Sequence, residues 1–560
     1  KVIADKVTAG CGAGPDMGHA NTFLGWNYDG YYSAHLSVAG VQKLRERGGK
    51  VIIIDIRDTP ASRNLADIFL KINPGTDGAL ALGMAKLIID NGWADLEYIE
   101  KYTYGFDQYK ELADQYPLDR VSKITGLDPG LIYEAAKLYA TNGPACTNYS
   151  ASALVHHING FNSHRAILCL SALTGNFDRA GGNVPNPPTY LHKPAGFKVR
   201  EHAFRSDRYP KDGERIGARR FPLWNAQFDE FQAMDLLRQL EEGTPYLVKA
   251  IFAMGMNAKM FPETDKLLAA MKDKLDFFVD TDMFMTMTAQ YADIVLPACS
   301  SVERGELKAY QGGYLTFTKP VIPPLYESKS DVDILCGLAR VMDLDDPYLK
   351  AGYEASADWM IDGCGLTVAD LKASDLPVKV PAAKWPVKPG NCLENGFKTA
   401  TGKFEFYSTA IASIDPAFGL NPLPDYRDSL EDQNAPETKE KYPFYLCTGA
   451  RLAHAIHSRA HETPWLRSIR PDPTCEIHRE DARRLGIREG DRVSLSSPYG
   501  EIFMKAKLTG KTKPGVILTL HGYTEANVNE LIGRNHVDPY SGFPGFKGMR
   551  CNIRKCQEVE

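Results

Sequence analysis

One pattern occurs twice in this chain, more than two hundred residues apart. The first copy is TFLGWN (residues 22–27), which leads to a strand-like KVIIID ending at Asp55. The second is IFAMGMN (residues 251–257), which leads to DFFVDTD with acids at Asp280 and Asp282. Each copy continues into Ala-Asp-Ile. A chain that builds the same strand-and-loop unit twice is expected to hold two similar ligands, or one ligand twice.

Length and charge limit the possible partners. A chain of 560 residues exceeds a single core of about 150 residues and is large enough to bury a big cofactor. The formal net charge is -5, without long blocks of one sign, which disfavours nucleic acid and acidic membrane surfaces. No apolar run approaches the about 18 residues of a membrane span, so direct membrane insertion is not expected.

The eleven cysteines are scattered and include no C-x-x-C pair. This distribution fits buried thiols and disfavours a zinc or iron-sulfur site made by these residues alone. The sequence opens KVIADKVTAG, without Met or a signal-peptide pattern, so we expect further residues upstream of Lys1.

Alternating short apolar strands and amphipathic helices predict an α/β fold with two related parallel-sheet domains, and the C-terminal pattern of strands and turns predicts a β-barrel. The predicted organisation is an α/β domain at 1–182, an irregular covering segment at 183–245, a second α/β domain at 246–342, a Pro-rich linker at 343–440 and the barrel domain at 441–560.

Acids at the ends of parallel strands are candidate ligand contacts, because such sheets bind ligands at the carboxyl ends of their strands. Asp55, and Asp280 or Asp282 in the second copy, could accept paired N–H bonds from a guanine edge or bind ribose hydroxyls. The alternative for a single copy is an Asp that caps the next helix.

Glycine-containing turns provide a second set of candidates. Gly75 and Asp77 open a predicted helix whose first amides could take a phosphate, although simple capping by Thr76 and Asp77 is an equal alternative. Gly175 lies in a turn where a flat ring or a diphosphate could approach the backbone. A nicotinamide site is not expected, because the glycines at 10–14 follow no strand and lack the final spacing of that motif.

The predicted barrel domain carries a run of polar residues. His454, His457 and His461 have helical spacing, but no H-E-x-x-H frame or nearby Cys accompanies them, so a metal site made by the protein is disfavoured. Donors to phosphates, ring nitrogens or a substrate oxygen are preferred. The candidates in this block and in the later loops are Gly449, Arg451, His454, His457, Ser458, His521 and Asn529.

Taken together, these motifs resemble the molybdopterin oxidoreductase family, which includes dimethyl sulfoxide reductase, formate dehydrogenase and acetylene hydratase. The resemblance covers nearly the whole chain. It rests on LGWN, KVIIIDIRDTPASRNLADIFLKINPGTD, LTGNFDRAGGN, TAQYADIVLPACSSVE, TGARLAHAIHSR, LGIREGDRVSLSSPYGEI, HGYTEANVN and SGFPGFKGMRCNIRK. The terminal motifs look most like the branch of acetylene hydratase, polysulfide or thiosulfate reductase and aromatic dehydroxylases.

The resemblance implies two molybdopterin guanine dinucleotides around one molybdenum or tungsten atom, one in each α/β domain. It implies guanine recognition by Asp55 and Asp282. Phosphate and pterin contacts are implied for Gly25, Trp26, Asn27, Arg57, Gly75, Asp77, Gly255 and Asn257, and closure by the barrel through Gly449, Arg451, His457, His521, Asn529 and Lys547. His156, His157 and His454 are the candidates near the metal, against the alternative that His156 and His157 only bond backbone.

The expected reaction is a two-electron oxo or hydroxyl transfer on a small-molecule substrate, with electrons passed through an iron-sulfur subunit. The metal's protein ligand and any 4Fe-4S cluster are expected upstream of Lys1, with Cys11 the local alternative as ligand. A cytoplasmic location is slightly favoured over twin-arginine export. The competing hypothesis is a cofactor-poor structural subunit of an electron-transfer complex, which should have lost one of the two copies.

Overall fold

The computed structural model describes residues 1–149, 152–185, 196–198, 214–310, 313–380, 389–428, 436–449, 461 and 463–557. The strands of the first unit are β1 (Ala13–Pro15), β2 (Thr22–Trp26), β3 (Lys50–Asp55), β4 (Ile68–Lys71), β5 (Thr103–Tyr104), β6 (Ala145–Tyr149) and β7 (Asn183–Pro185). Four of them form a parallel sheet of order β4-β3-β2-β6. The short strands β1 and β7 pair with each other in antiparallel fashion.

Helices enclose the first sheet. The β-branched residues of β3 are buried, as expected for a parallel strand covered on both faces. The helix Gly160–Leu173 is buried along its whole length and therefore forms part of the core. The helices of this unit are Val2–Ala9, Gly30–Ser33, His35–Glu46, Pro60–Asn64, Asp77–Asp90, Leu96–Tyr102, Phe106–Asp114, Leu118–Thr125, Pro129–Thr141 and Gly160–Leu173.

The second unit is built around a smaller parallel sheet of order β10-β9-β8. The strands are β8 (Ala250–Met254), β9 (Phe277–Asp282) and β10 (Ile294–Pro297). One face packs through Ala253 and Phe278 against the helix Thr264–Lys274, which links β8 to β9. The helices Pro222–Gln227 and Leu236–Glu242 precede this sheet.

Between the second sheet and the barrel, the chain forms a small antiparallel sheet of β11 (Leu307–Tyr310), β12 (Tyr314–Phe317) and β13 (Val378–Lys379), with its own apolar cluster. A two-residue strand, β14 (Phe404–Glu405), pairs with β5 of the first unit. The helices here are Asp331–Val341, Pro347–Ala351, Tyr353–Ile361, Val368–Ala373, Asn391–Asn395, Thr409–Ala412 and Pro436–Lys441.

The C-terminal strands close into a barrel of order β15-β19-β16-β18-β17-β20. They are β15 (Phe444–Cys447), β16 (Thr474–His478), β17 (Arg492–Ser496), β18 (Glu501–Thr509), β19 (Val516–Thr519) and β20 (Lys547–Lys555), with helices Pro464–Arg467 and Arg479–Arg484 between them. Alternate residues of β18 point into the barrel core, the pattern of a filled barrel. Two parallel sheets and a closed barrel confirm the predicted fold class.

Within the described residues, no helix combines the length and the apolar character that crossing a membrane requires.

Candidate functional site

A cavity of about 1940 Å³ lies where the carboxyl ends of both parallel sheets meet the barrel. Ligand pockets are usually about 300–1,000 Å³, so this space suits a ligand of unusual size or more than one ligand. We call residues 27–29 and 55–57 the first cradle and residues 255–257 and 282–284 the second cradle. Residues of both cradles and of the barrel line the same cavity.

Backbone hydrogen bonds establish which residues of the two cradles are equivalent. The Asn27 N–H donates to Ile54 O (2.8 Å), and the Gly255 N–H donates to Thr281 O (2.9 Å). Both donors follow directly on the end of a strand and have positive φ, 50° at Asn27 and 62° at Gly255. Asn27 therefore corresponds to Gly255. The Gly-x-Asn motifs that align in the sequence are offset by two residues in the structure.

The Ala-Asp-Ile repeats, in contrast, are equivalent in both sequence and structure. Asp67 accepts the Val51 N–H (2.8 Å), and Asp293 accepts the Phe278 N–H (2.7 Å). Each carboxylate pins the start of the neighbouring strand at the end opposite the cavity. These acids align β3 with β9, so Asp55 corresponds to Asp282.

The two equivalent strand-end acids, both candidates from the sequence, line the cavity. Asp55 Oδ1 accepts the N–H groups of Ile56 (2.7 Å) and Arg57 (3.2 Å), and Asp282 Oδ1 accepts the Phe284 N–H (3.0 Å). Each acid is thus held in a short turn by one oxygen. Burial raises the pKa of Asp55 to about 6, against the opposing effect of Arg57.

The turn before helix Asp77–Asp90 has an uncapped N-terminus. The Thr76 hydroxyl donates to Asn73 O (2.8 Å), so it does not cap the helix. Asp77 Oδ1 accepts both Trp26 Nε1–H (2.7 Å) and Asn27 Nδ2–H (2.9 Å). Asp77 therefore holds the first cradle in place, and burial raises its pKa. The first amides of this helix remain suited to an anion.

His157 is a buried, neutral hydrogen-bond donor at the cavity wall. Its Nδ1 accepts the Asn159 N–H (3.1 Å), which assigns the ring proton to Nε2. Among the described residues, no hydrogen-bond partner faces that Nε2 atom. Burial lowers the pKa of His157 to about 3. A Cβ at Gly75 would lie 2.1 Å from Nε2, so only glycine fits there.

His156, the neighbouring residue, also lines the cavity. Its ring stacks on Phe543 with 4.8 Å between centroids and 12° between planes. Its carbonyl accepts the Lys547 N–H (3.0 Å). The pair His156 and His157 thus joins the first unit to strand β20 at the cavity.

Barrel residues close the third side. Lys547 Nζ donates to Thr448 O (2.8 Å), and burial lowers the pKa of Lys547 to about 8. Gly449 has φ 80°, and a Cβ there would lie 2.9 Å from His521 Nδ1. Gly449, His521 and Lys547, for which the resemblance implies cofactor contacts, all line the cavity.

A second contact joins the barrel to the second cradle. Asn529 Nδ2 donates to Lys259 O (2.5 Å), and Lys259 Nζ donates to Thr524 Oγ1 (3.1 Å). Asn529 and Lys259 are buried and line the cavity. A buried lysine at this wall places a cation where an anionic ligand would lie.

Several predicted residues do not reach the cavity. Gly25 lies inside β2, where a Cβ would meet Ile53 at 2.7 Å, and the Trp26 ring is fully buried on Asp77. Gly175 packs beside Asp95 instead. Asp280 is fully buried within β9, and burial raises its pKa to about 6. Gly25 and Asp280 lie before the ends of their strands, and the cavity is lined where those strands end.

Cys11, the local candidate for the metal ligand, is also absent from the cavity wall. Its sulfur lies 3.9 Å from that of Cys392. The predicted residues Arg451, His454, His457 and Ser458 lie outside the described residues. Within the described part of the chain, no cluster of three His, Cys, Asp or Glu side chains could hold a metal ion.

Sequence reasoning missed four charged residues that line the cavity: Asp29, Lys259, Arg304 and Asp331. Asp29 and Lys259 each follow the Asn of Gly-x-Asn by two positions, a signal that was available in the repeat. Burial raises the pKa of Asp29, against the opposing effect of Arg57. Arg304 lies beside Cys299, whose carbonyl accepts its Nη1–H (2.7 Å).

The fold and the site define a class of protein: an α/β protein whose two related sheets and barrel surround a cavity large enough for a big cofactor. The buried donor His157 and the close approach at Gly75 and Gly449 are the features that such a ligand needs.

Comparison with known proteins assigns the family. The model "Molybdopterin oxidoreductase" matches residues 16–341, and the model "Molydopterin dinucleotide binding domain" matches residues 444–550. This chain belongs to the molybdopterin oxidoreductase family.

Individual relatives agree with this assignment. The solved acetylene hydratase from Pelobacter acetylenicus has a TM-score of 0.86 and 25% identity, covering 99% of this chain and 80% of that one. Acetylene hydratase of Syntrophotalea acetylenica is 29% identical over 85% of this chain and 67% of its own length. The F420-dependent formate dehydrogenase subunit alpha of Methanocaldococcus jannaschii is 28% identical over 92% and 73%.

The protein is therefore a molybdopterin-dependent enzyme of the molybdenum and tungsten oxidoreductases, with a metal-bearing molybdopterin cofactor. Its relatives include hydratases, reductases and dehydrogenases.

Proposed function

We propose that the cavity holds two molybdopterin guanine dinucleotides, one in each cradle, with a single molybdenum or tungsten atom between them. The observation that carries this proposal is the equivalence of Asp55 and Asp282, which lie at matching strand ends and line one cavity. A protein that had become a structural subunit would have no need of both cradles.

Different residues of this chain bind the guanine and the phosphate parts of the cofactor. Asp55 and Asp282 accept N–H groups of the two guanines, since a carboxylate can take two parallel hydrogen bonds. Lys259 and Lys547, which both line the cavity, balance phosphate charge. Because the pKa of Lys547 is about 8, this residue is mostly protonated at neutral pH and loses its charge in mild alkali.

His157 has a different role. Its low pKa keeps the ring neutral at physiological pH, so it acts as a fixed Nε2–H donor and not as a proton source. Its position beside Gly75 and Gly548 aims that donor at the corner between the first unit and β20. The bound cofactor supplies two-electron chemistry at its metal, and the chain orients the substrate and excludes water.

The substrate is a small molecule that undergoes oxo or hydroxyl transfer, in the branch that contains hydratases, reductases and dehydroxylases. The similarity to acetylene hydratases over most of the chain supports this branch. We further propose that electrons pass singly through a 4Fe-4S cluster and an iron-sulfur partner subunit. The relatives named as catalytic or alpha subunits support such an assembly.

Cofactor analysis tests this proposal. The purified protein should contain molybdenum or tungsten and two guanine nucleotides per metal atom, released by acid and counted by chromatography. Asp55→Asn and Asp282→Asn should each lower the count from two toward one, because each removes one guanine acceptor. Asp276→Asn, which precedes the other end of β9, is the matched control and should keep both.

Two results would reject the proposal. A protein without either metal and without guanine would instead be the structural subunit. One guanine per metal, with only one of the two variants affecting it, would assign a single dinucleotide to the cavity.

A further inference from the structure

Two cysteine sulfurs that lie 381 positions apart in sequence meet outside the cavity. Cys11 and Cys392 are 3.9 Å apart, sulfur to sulfur, in a hydrogen bond between the two thiols. Cys11 is partly exposed and Cys392 is buried. Neither residue lines the cofactor cavity, and neither takes part in the function proposed above.

The surrounding backbone holds the two residues together. Gly10, next to Cys11, has φ 71°, and a Cβ there would lie 2.5 Å from the backbone of Lys398. On the other side, Asp178 accepts the N–H groups of Gly390 (2.9 Å) and Cys392 (2.5 Å). The carboxylate thus docks the start of helix Asn391–Asn395 onto the first unit. Both chain segments are positioned by contacts other than the thiol pair.

We propose that Cys11 and Cys392 form a reversible disulfide that ties the end of helix Val2–Ala9 to helix Asn391–Asn395. A small shift of the two side chains suffices, because the sulfurs need only move from 3.9 Å apart to the about 2.0 Å of a disulfide bond. The bond would add a covalent link between the segment around Cys392 and the first unit, beside the Asp178 hydrogen bonds and the packing of Gly10 against Lys398.

The oxidant is a hydroperoxide, of which hydrogen peroxide is the smallest. The hydrogen bond from the Cys11 thiol lowers the pKa of Cys392 and favours its thiolate. That thiolate attacks one peroxide oxygen, the O–O bond breaks, and hydroxide leaves to take up a proton as water. The resulting Cys392 sulfenic acid is attacked by Cys11 sulfur, the S–O bond breaks, and a second water leaves. Two thiols are oxidised and one peroxide is reduced.

The test uses the purified full chain and hydrogen peroxide. Limited oxidation should remove two hydrogens from the intact mass and yield one disulfide-linked peptide pair containing Cys11 and Cys392. A thiol reductant should reverse both changes. The midpoint of thermal unfolding should rise on oxidation and return on reduction, because the bond restricts the unfolded chain.

Variants separate this bond from general oxidation. Cys11→Ser should leave a sulfenic acid at Cys392 that dimedone traps, and Cys392→Ser should show neither the disulfide nor the label at that position. Cys556→Ser removes the other partly exposed thiol and should behave like the parent. The proposal is overturned if peptide mapping of the oxidised parent places the disulfide elsewhere, or finds only added oxygen on Cys11 and Cys392.

Discussion

The first and second sheets carry equivalent cradles but differ in what covers them. Every residue of β2 in the first sheet is buried. In the second sheet, Phe252 on β8 and Ile294 on β10 are 42% and 45% exposed. Parallel sheets are normally covered on both faces. The two cradles thus have the same backbone geometry although one sheet is covered more completely than the other. The backbone hydrogen bonds that shape a cradle therefore do not require a sheet that is buried on both faces.

The cradles also differ in how side chains hold them. In the first, Asp77 accepts bonds from Trp26 and Asn27 of the cradle strand itself. Near the second, Glu303 instead accepts the N–H groups of Ser300 (2.7 Å) and Leu325 (2.8 Å), neither of which belongs to the cradle. We therefore expect the first cradle to be the more rigid of the two.

The largest expected difference concerns the two cores. Ile53→Ala on β3 should lower the free energy of unfolding by about 2–5 kcal/mol, because it opens a cavity in a fully buried sheet. Ile294→Ala on the exposed face of β10 should cost less than about 1 kcal/mol. Urea unfolding measures both. Equal costs would mean that the second sheet is as deeply covered as the first.

A smaller effect is expected at the clamp of the first cradle. Asp77→Ala leaves the buried Trp26 donor and the half-buried Asn27 donor without their acceptor and should cost about 2–3 kcal/mol. Hydrogen exchange at the Asn27 amide should speed up, while exchange at the Gly255 amide should stay unchanged. If both amides respond alike, the two cradles are coupled and the difference in rigidity is not real.

The smallest expected effect is on how the free energy of unfolding depends on pH, compared between the parent and a variant at Glu303. Hydrogen bonds, from Ser300 first, lower the pKa of Glu303 from 4.5 to about 2. A lowered carboxyl pKa stabilises the fold above pH 4.5, and this contribution disappears as pH falls through about 2. The gap in unfolding free energy between the parent and Glu303→Gln should therefore be full at neutral pH and shrink below pH 4.5. A constant gap would contradict this assignment.

Much of the architecture was predictable from local patterns. The β-branched run before Asp55, the repeated Ala-Asp-Ile and the turn-rich C-terminal block each predicted the element that the structure contains. The sequence also put forward Asp55 and Asp282 as candidates, and both line the cavity. Their signal is short in range, because a strand and its final acid are encoded by adjacent residues. Lys547 was a candidate only through the family resemblance.

Other features depended on distant contacts. Gly175 was a candidate for ligand binding because its turn resembled one that a flat ring or a diphosphate could approach. Its loop instead carries Asp178, which docks helix Asn391–Asn395. The pairing of Cys11 with Cys392 has no signature in spacing. Contacts of this kind arise only when remote segments pack together.

The sequence alone determined that the chain contains two similar units of a strand and an acid, and that the chain resembles one family. Both follow from alternation, turns and motifs, which are properties of neighbouring residues. Only the tertiary structure decided that Asn27 matches Gly255, since inter-strand hydrogen bonds set that register. It also decided which acids face the cavity. Asp282 ends β9 and lines the cavity, whereas Asp280, two positions earlier on the same face, is fully buried inside the strand.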